Sequence, residues 1–419
     1  MQNNLVFRFC VGFLLFSNYT VWADDNCIQN GPVDGYPFDI HNANVQVSQD
    51  ALNQTMQNIY THIHEEEATP DNIQRKEADG SIKRSYCLFH PASQAVYGTV
   101  IFFHGFSNRP EEMSKLASYL YNSGFNVYNP FLSKHYEVPG HTYWPKLLYR
   151  AGITPQSVGP DRILNAIQHP DISDFNVLFD NVPHESVGQN WTGWMDDAQR
   201  RFHELDPMPG PIYLVGLSLG SSIALNLGAI DGGNRIKGIV AHAPYLQEHD
   251  PTRRQQIMLG GPLDNQGLTL NGQDVSAASA AAQQALGATL FRADGSNFQS
   301  LSKIPTFLIG TESDISADTG RSWSLHSQIQ NLTPGVAHHW YTYAANLNVG
   351  HAMTDPRDYP GFVDSAHGGG RNIQYKALYQ ETYDFLVNNV VDDFNMGQQG
   401  QRPKEQLPQV LPIQGADTD

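Results

Sequence analysis

The chain has 419 residues, 40% hydrophobic and 16% charged, which allows a sizeable buried core and excludes a disordered polymer. Its length suits one large α/β domain or two to three average ones. A formal charge of −17 at pH 7 repels nucleic-acid phosphates and anionic membranes, so neither is an expected partner.

The N-terminus reads MQNNLVFRFCVGFLLFSNYTVWADD. Arg8 and the α-amino group precede a short apolar run, and Val21 and Ala23 supply small residues at −3 and −1. This pattern predicts a secretory signal peptide over residues 1–23, cleaved after Ala23. The run is shorter than the roughly 20 apolar residues of a membrane span. No later stretch is long enough either, so the expectation is a soluble protein without a transmembrane segment, secreted or periplasmic. Cys10 would leave with the leader, without the small-residue context of a lipid-attachment site. Cys27 and Cys87 remain, and an oxidising compartment would permit one disulfide between them; the alternative is two unpaired small apolar residues.

Residues 24–45 are rich in Asn, Asp, Gly and Pro and read as an extended lead-in. After Ser48, an N-cap candidate, Ala51, Leu52, Met56, Ile59, Tyr60 and Ile63 recur at helical spacing. His62 and His64 lie two positions apart and face different ways, so they predict a solvated face rather than a metal site. SIKRSYCLFH and VYGTVIFFHG read as strands, the second continuous enough for a buried parallel sheet. EEMSKLASYLYNSG is an amphipathic helix closed by Gly124, and FNVYNP the next strand. Residues 140–190 show little periodicity. WMDDAQRRFHEL reads as helix, PIYLVGLS as strand, SSIALNLGAI as helix and IKGIVAHAP as strand. Residues 245–303 break the alternation and look like an inserted cap. IPTFLIG, HHWYTYA and the helix YKALYQETYDFLVNNV restore it. Residues 392–419 are expected to be a disordered tail.

Strands alternating with helices over this length predict an α/β fold with a mostly parallel central sheet and helices on both faces. Residues 24–391 would form one such domain, including the cap. Ligands on these sheets bind beyond the carboxyl ends of the strands, and one strand ends in Gly216-Leu217-Ser218-Leu219-Gly220. G-x-S-x-G alone is a weak signal. Placed between a strand and a helix, it is the sharp turn that exposes a serine hydroxyl.

A nucleophilic Ser218 needs a base, and His351 in NLNVGHAMTDP lies on a loop after the last strand, at the same sheet edge. The imidazole needs a carboxylate to fix its tautomer. FLIGTESDISADTG offers Glu312, Asp314 and Asp318. Asp318 is placed to cap a helix beginning near Gly320. Asp314, deeper in the loop, is the preferred acid, with Glu312 the alternative. The order is Ser, Asp, His, with spacings of 314 − 218 = 96 and 351 − 314 = 37 residues. The tetrahedral oxygen needs backbone N–H donors. Leu219, directly after the serine, supplies one, and Phe106 in HGFSNRP the other, with His104 bracing that loop. No metal or cofactor is called for, and no metal-ligand spacing such as H-E-x-x-H occurs.

The stretch TVIFFHGFSNRPEEMSKLASYLYNSGFNVYNPFL, together with GLSLG, WMDDAQRRF and VGHAMTDPRD, resembles the α/β-hydrolase superfamily, especially its monoacylglycerol lipase and bacterial carboxylesterase branch. The likeness runs from about residue 95 to 391. It implies the triad Ser218, Asp314 and His351, backbone donors at Phe106 and Leu219, and a cap after the strand ending at Ala243. The motif ends in GSS where that branch commonly has a second glycine.

The function expected is hydrolysis of a small-molecule or lipid carboxylic ester, with monoacylglycerols and lysophospholipids in range, through an acyl-enzyme. Rivals are a thioesterase or amide hydrolase on the same fold, and a secreted binding protein that has lost catalysis. Within the cap, Val275, Ala278, Ala282, Leu286, Leu290 and Phe291 recur near helical spacing. They predict either a helix packed on the core or a lid lining the acyl pocket, the lid favouring medium acyl chains.

Overall fold

The computed structural model describes residues 27–28, 40, 43–67, 85–106, 110–132, 189–254, 269–270, 273–274, 277–291, 295–354, 372 and 374–391. The expected signal peptide, residues 140–188 and the expected tail from 392 lie outside the described residues.

The apolar runs fold as strands and the 3.6-periodic segments as helices. In chain order these are β1 (Cys27–Ile28), α1 (Gln49–Glu67), β2 (Tyr86–Leu88), β3 (Thr99–Phe103), α2 (Ser114–Asn122) and β4 (Asn126–Asn129). There follow α3 (Gln189–Glu204), β5 (Ile212–Leu217), α4 (Leu219–Asp231), β6 (Ile236–His242), the short β7 (Thr269–Leu270) and β8 (Gln273–Asp274), and α5 (Ala277–Thr289). Last come α6 (Ser296–Leu301), β9 (Thr306–Thr311), α7 (Thr319–Leu332), β10 (His338–Tyr343) and α8 (Tyr375–Asn388).

Eight strands form one sheet in the order β1-β2-β4-β3-β5-β6-β9-β10, with β7 and β8 a separate pair. Every neighbouring pair from β4 to β10 is parallel; β2 runs antiparallel to β4, and β1 parallel to β2. The sheet is therefore mostly parallel, as expected.

Both faces are covered, and side-chain alternation along the strands shows how. Ile101, Phe103, Leu214 and Ile239 join a core that includes side chains of α1, α3, α4 and α5. Val100, Phe102, Val215 and Val240 join a second core with α2 and α8. Because the strands are parallel, β5, β6, β9 and β10 all present their carboxyl ends at one edge, with Leu217 beside His242, His242 beside Ile309 and Thr311 beside Tyr343.

Two expectations are corrected. His62 is not on a solvated face: α1 packs against α3, where the His62 ring meets the Glu204 carboxylate (Nδ1 to Oε1, 2.5 Å) with Asp197 Oδ1 3.7 Å away. A partner on a distant helix makes burial tolerable, and spacing along α1 alone could not reveal it. The second correction concerns the lid. Helix α5 is a layer of the core, with Ala282, Leu286 and Ala288 buried among the side chains of α3 and α4. The Leu286 carbonyl accepts from Asn226 Nδ2 at 3.1 Å. A side chain at Gly287 would meet the Leu246 backbone at 2.4 Å. A helix fastened this closely is no lid.

Candidate active site

Strand β5 delivers Ser218 to the sheet edge, and α4 begins at the next residue. Ser218 adopts φ 56°, ψ −119°, a conformation costing a non-glycine residue about 1–3 kcal/mol. Neighbouring backbone holds it there. Its N–H donates to the His242 carbonyl at 2.9 Å, and its own carbonyl accepts from Tyr245 N–H at 3.2 Å and from Ser221 N–H at 3.0 Å.

The motif glycines follow from crowding around this turn. A Cβ at Gly216 would lie 2.5 Å from the Gly220 carbonyl oxygen and the Ser221 backbone, and one at Gly220 only 1.9 Å from the Phe103 carbonyl oxygen. The GSS departure has a structural use as well. Ser221 Oγ donates to the His242 carbonyl at 2.8 Å and Ser222 Oγ to the Tyr245 carbonyl at 2.6 Å, fastening α4 to the end of β6. The N-terminus of α4 lies beside Ser218 and favours negative charge there.

The acid loop follows β9. Asp314 is buried, and its Oδ1 accepts the Ser316 and Ala317 amides at 2.8 and 2.9 Å. Its Oδ2 accepts from His351 Nδ1 at 2.7 Å. With Nδ1 bonded to a carboxylate, the proton of a neutral imidazole sits on Nδ1 and leaves Nε2 a base. Thr311 Oγ1 donates to the Val349 carbonyl at 2.8 Å and pins the histidine loop to the end of β9.

The other two acids are engaged elsewhere. Glu312 accepts the Ala345 amide at 2.9 Å, and Asp318 caps α7, accepting the Arg321 amide at 3.1 Å. Asp314 is the acid brought to the histidine. Tyr245 lies between the two halves of the site. Its amide bonds Ser218, and its phenol, donated to Glu248 Oε2 at 2.9 Å, is pushed well above its usual range by burial and Glu248, with a further contribution from the Asp314 charge.

Phe106 follows β3, buried, its ring edge-on to Trp194 with 5.8 Å between centroids. Leu219, first residue of α4, has an N–H without an acceptor inside the helix. His104 braces the β3 loop: its Nδ1 donates to the Gly105 carbonyl at 2.9 Å, and its Nε2 accepts the Leu132 amide at 3.1 Å. A second buried imidazole, His242, donates from Nδ1 to the Gly216 carbonyl at 3.1 Å; burial pulls its pKa down to about 4. Sequence reading did not single out His242, because a lone histidine in the run IKGIVAHAP carries no sign that the Gly216 carbonyl will pack against it. Among the described residues no group of three or more His, Cys, Asp or Glu could hold a metal ion, and no helix is long and apolar enough to cross a membrane.

No family model and no curated protein matches the sequence. Among solved structures the chain is similar to a soluble variant of monoglyceride lipase from Saccharomyces cerevisiae in complex with a substrate analog (14% identity, 70% of this chain, 86% of that one, TM-score 0.42). It is also similar to Est1E from Butyrivibrio proteoclasticus with ferulic acid bound (12% identity, 74% and 97%, TM-score 0.42). A third likeness is to a structure of the metagenome-derived lipolytic enzymes LipS and LipT (14% identity, 73% and 97%, TM-score 0.40). On its own topology, a mostly parallel sheet whose strand-to-helix turn lifts a strained serine at the edge where the Asp314–His351 loops meet, the chain has the α/β-hydrolase fold.

Proposed function

We propose that this protein is an exported serine hydrolase that cleaves carboxylic esters through an acyl-enzyme. The observation supporting this most directly is the 2.7 Å bond from His351 Nδ1 to a buried Asp314, at the sheet edge where Ser218 is held in a strained turn. Strain at one serine and a buried acid–imidazole pair are costly features that a binding protein would have no reason to keep.

In this reading Ser218 Oγ attacks the acyl carbon while His351 Nε2 takes its proton. Asp314 stabilises the imidazolium. The amides of Phe106 and Leu219 receive the oxyanion, and the proton returns to the leaving alcohol. Water repeats the sequence on the acyl-enzyme. The substrate class is a small-molecule or lipid ester, with monoacylglycerols and lysophospholipids included. Export rests on the N-terminal leader pattern.

The test is hydrolysis of p-nitrophenyl esters of increasing acyl length by wild type and Ser218→Ala. The expected result is a loss of about 10³-fold or more in a folded variant. Retention of most activity by a folded Ser218→Ala protein would end this reading.

A further inference from the structure

Helix α3 carries a stripe of four side chains at spacings of three, four and three residues: Trp194, Asp197, Arg201 and Glu204. Arg201 and Asp197 are fully buried there, on the sheet face away from α2 and α8. Arg201 lies 3.7 Å from Asp197 Oδ1 through Nε and 3.5 Å from Glu204 Oε1 through Nη1, and Nη1 also donates to Tyr128 Oη at 3.3 Å. His62 of α1 closes the cluster on Glu204. A buried cation surrounded this way is costly to build and is weak grounds for stability alone.

A further bond points to a use. Arg201 Nη2 donates to the Phe131 carbonyl at 3.2 Å. The N–H at the other end of that same peptide unit belongs to Leu132 and donates to His104 Nε2 at 3.1 Å. An imidazole accepting at Nε2 carries its proton on Nδ1, and that proton goes to the Gly105 carbonyl at 2.9 Å. The N–H at the far end of the Gly105 peptide unit is that of Phe106. No peptide bond among the described residues is cis, so a carbonyl and the N–H of its unit point in opposite directions. Fixing the Gly105 carbonyl therefore fixes where the Phe106 N–H points.

We infer that Arg201 and His104 are positioning residues that form a relay, Arg201 to the 131–132 peptide to His104 to the 105–106 peptide, which aims the Phe106 N–H at the oxyanion. The inference rests on the proposed role of Phe106. Each bond in the line polarises the next in the same sense, so the buried guanidinium also strengthens the terminal donor. Helix α3 also touches the β3 loop directly, through Trp194, whose ring meets that of Phe106. Helix α1, remote in sequence from the site, is thereby tied to it through His62 and Glu204.

The experiment measures kcat and KM on a p-nitrophenyl ester, normalised to sites titrated with a fluorophosphonate, so that misfolded protein does not count. His104→Gln leaves nothing at the Nδ1 position to hold the Gly105 carbonyl, and is expected to lose about 10- to 100-fold in kcat at unchanged KM, short of the loss from deleting a donor outright. His104→Asn places an amide nitrogen at the Nδ1 position and is expected to recover most of that loss. Arg201→Met is expected to lower kcat several-fold. The double variant His104→Gln/Arg201→Met is expected to be no worse than His104→Gln, because both act on one line. Where Arg201→Met does not fold, Arg201→Lys keeps the charge beside Asp197 and Glu204 without the planar fork, and replaces it in the cycle. Wild-type kcat in His104→Gln, no recovery in His104→Asn, or losses that multiply in the double variant would overturn the relay. Those results alongside an inactive Ser218→Ala leave the ester-hydrolase reading standing. A wild type without Ser218-dependent hydrolysis removes both.

Discussion

Asp314→Asn separates a site carboxylate from an ordinary buried one. The replacement keeps an oxygen for the Ser316 and Ala317 amides, which Asp314 Oδ1 now accepts at 2.8 and 2.9 Å. It turns an NH₂ donor toward His351 in place of the oxygen that takes Nδ1–H at 2.7 Å. Nδ1 must then accept, so the imidazole proton moves to Nε2, the nitrogen proposed to take the serine proton. Exchanging one charge-assisted bond for a neutral one costs about 1–2 kcal/mol, which leaves the protein folded. The wrong tautomer costs far more in rate, about 10³- to 10⁴-fold in kcat with KM little changed. The assay is steady-state kinetics on a p-nitrophenyl ester over neutral to alkaline pH, beside a thermal melt. Glu312→Gln, which still offers an oxygen to the Ala345 amide, is the control and should stay within a few-fold of wild type. Near-normal kcat in Asp314→Asn, or inactivity in Glu312→Gln, would refute the assignment of the acid.

Gly220→Ala would drive a methyl into the Phe103 carbonyl oxygen, 1.9 Å from the ideal Cβ position. Backbone cannot move aside, so a loss of about 3 kcal/mol or more is expected in urea denaturation, and an unchanged midpoint would disprove the close approach. His242, neutral in the fold with its pKa drawn to about 4 from 6.5 by burial, protonates more readily when unfolded. It therefore contributes full stability above about pH 6.5, lost progressively as pH falls through about 4, and worth up to about 3 kcal/mol. His90 and His326 are shifted in the same direction, so His242→Asn should flatten the acid-side fall in Tm without abolishing it; an identical slope would rule out this account. Cys87 is disulfide-bonded, and its partner in the ladder is Cys27, at a strand spacing that suits a bridge. Mass spectrometry without reductant should show the Cys27–Cys87 pair, closing a loop of 87 − 27 = 60 residues and stabilising by about 2–4 kcal/mol; two alkylatable thiols would contradict it.

Local chemistry made much of this protein legible from its sequence. Strands such as TVIFF and TFLIG are continuous apolar runs because parallel strands are buried on both faces, and that composition cannot be mistaken for a surface element. The G-x-S-x-G spacing encodes half of its own turn: Gly216 answers to the Gly220 and Ser221 backbone inside it, whereas Gly220 answers to the Phe103 carbonyl on β3, a contact that only the packed sheet creates. Asp318 as a helix cap is equally local, a side chain bonding an amide three residues on. Tertiary structure decided what depends on partners distant in the chain. Nothing near His62 announces Glu204, 142 residues later (204 − 62), so the helix face it occupies could not be known to be buried. The periodicity of α5 fits a lid and a core layer equally; only its seating on Asn226 and Leu246 chooses the core. The same holds for the link between Arg201 and His104. His104 was legible as a brace of its own loop, but its joining to Arg201 runs through a peptide unit that belongs to neither, because hydrogen bonds between elements follow from packing geometry, which residue spacing along the chain does not carry.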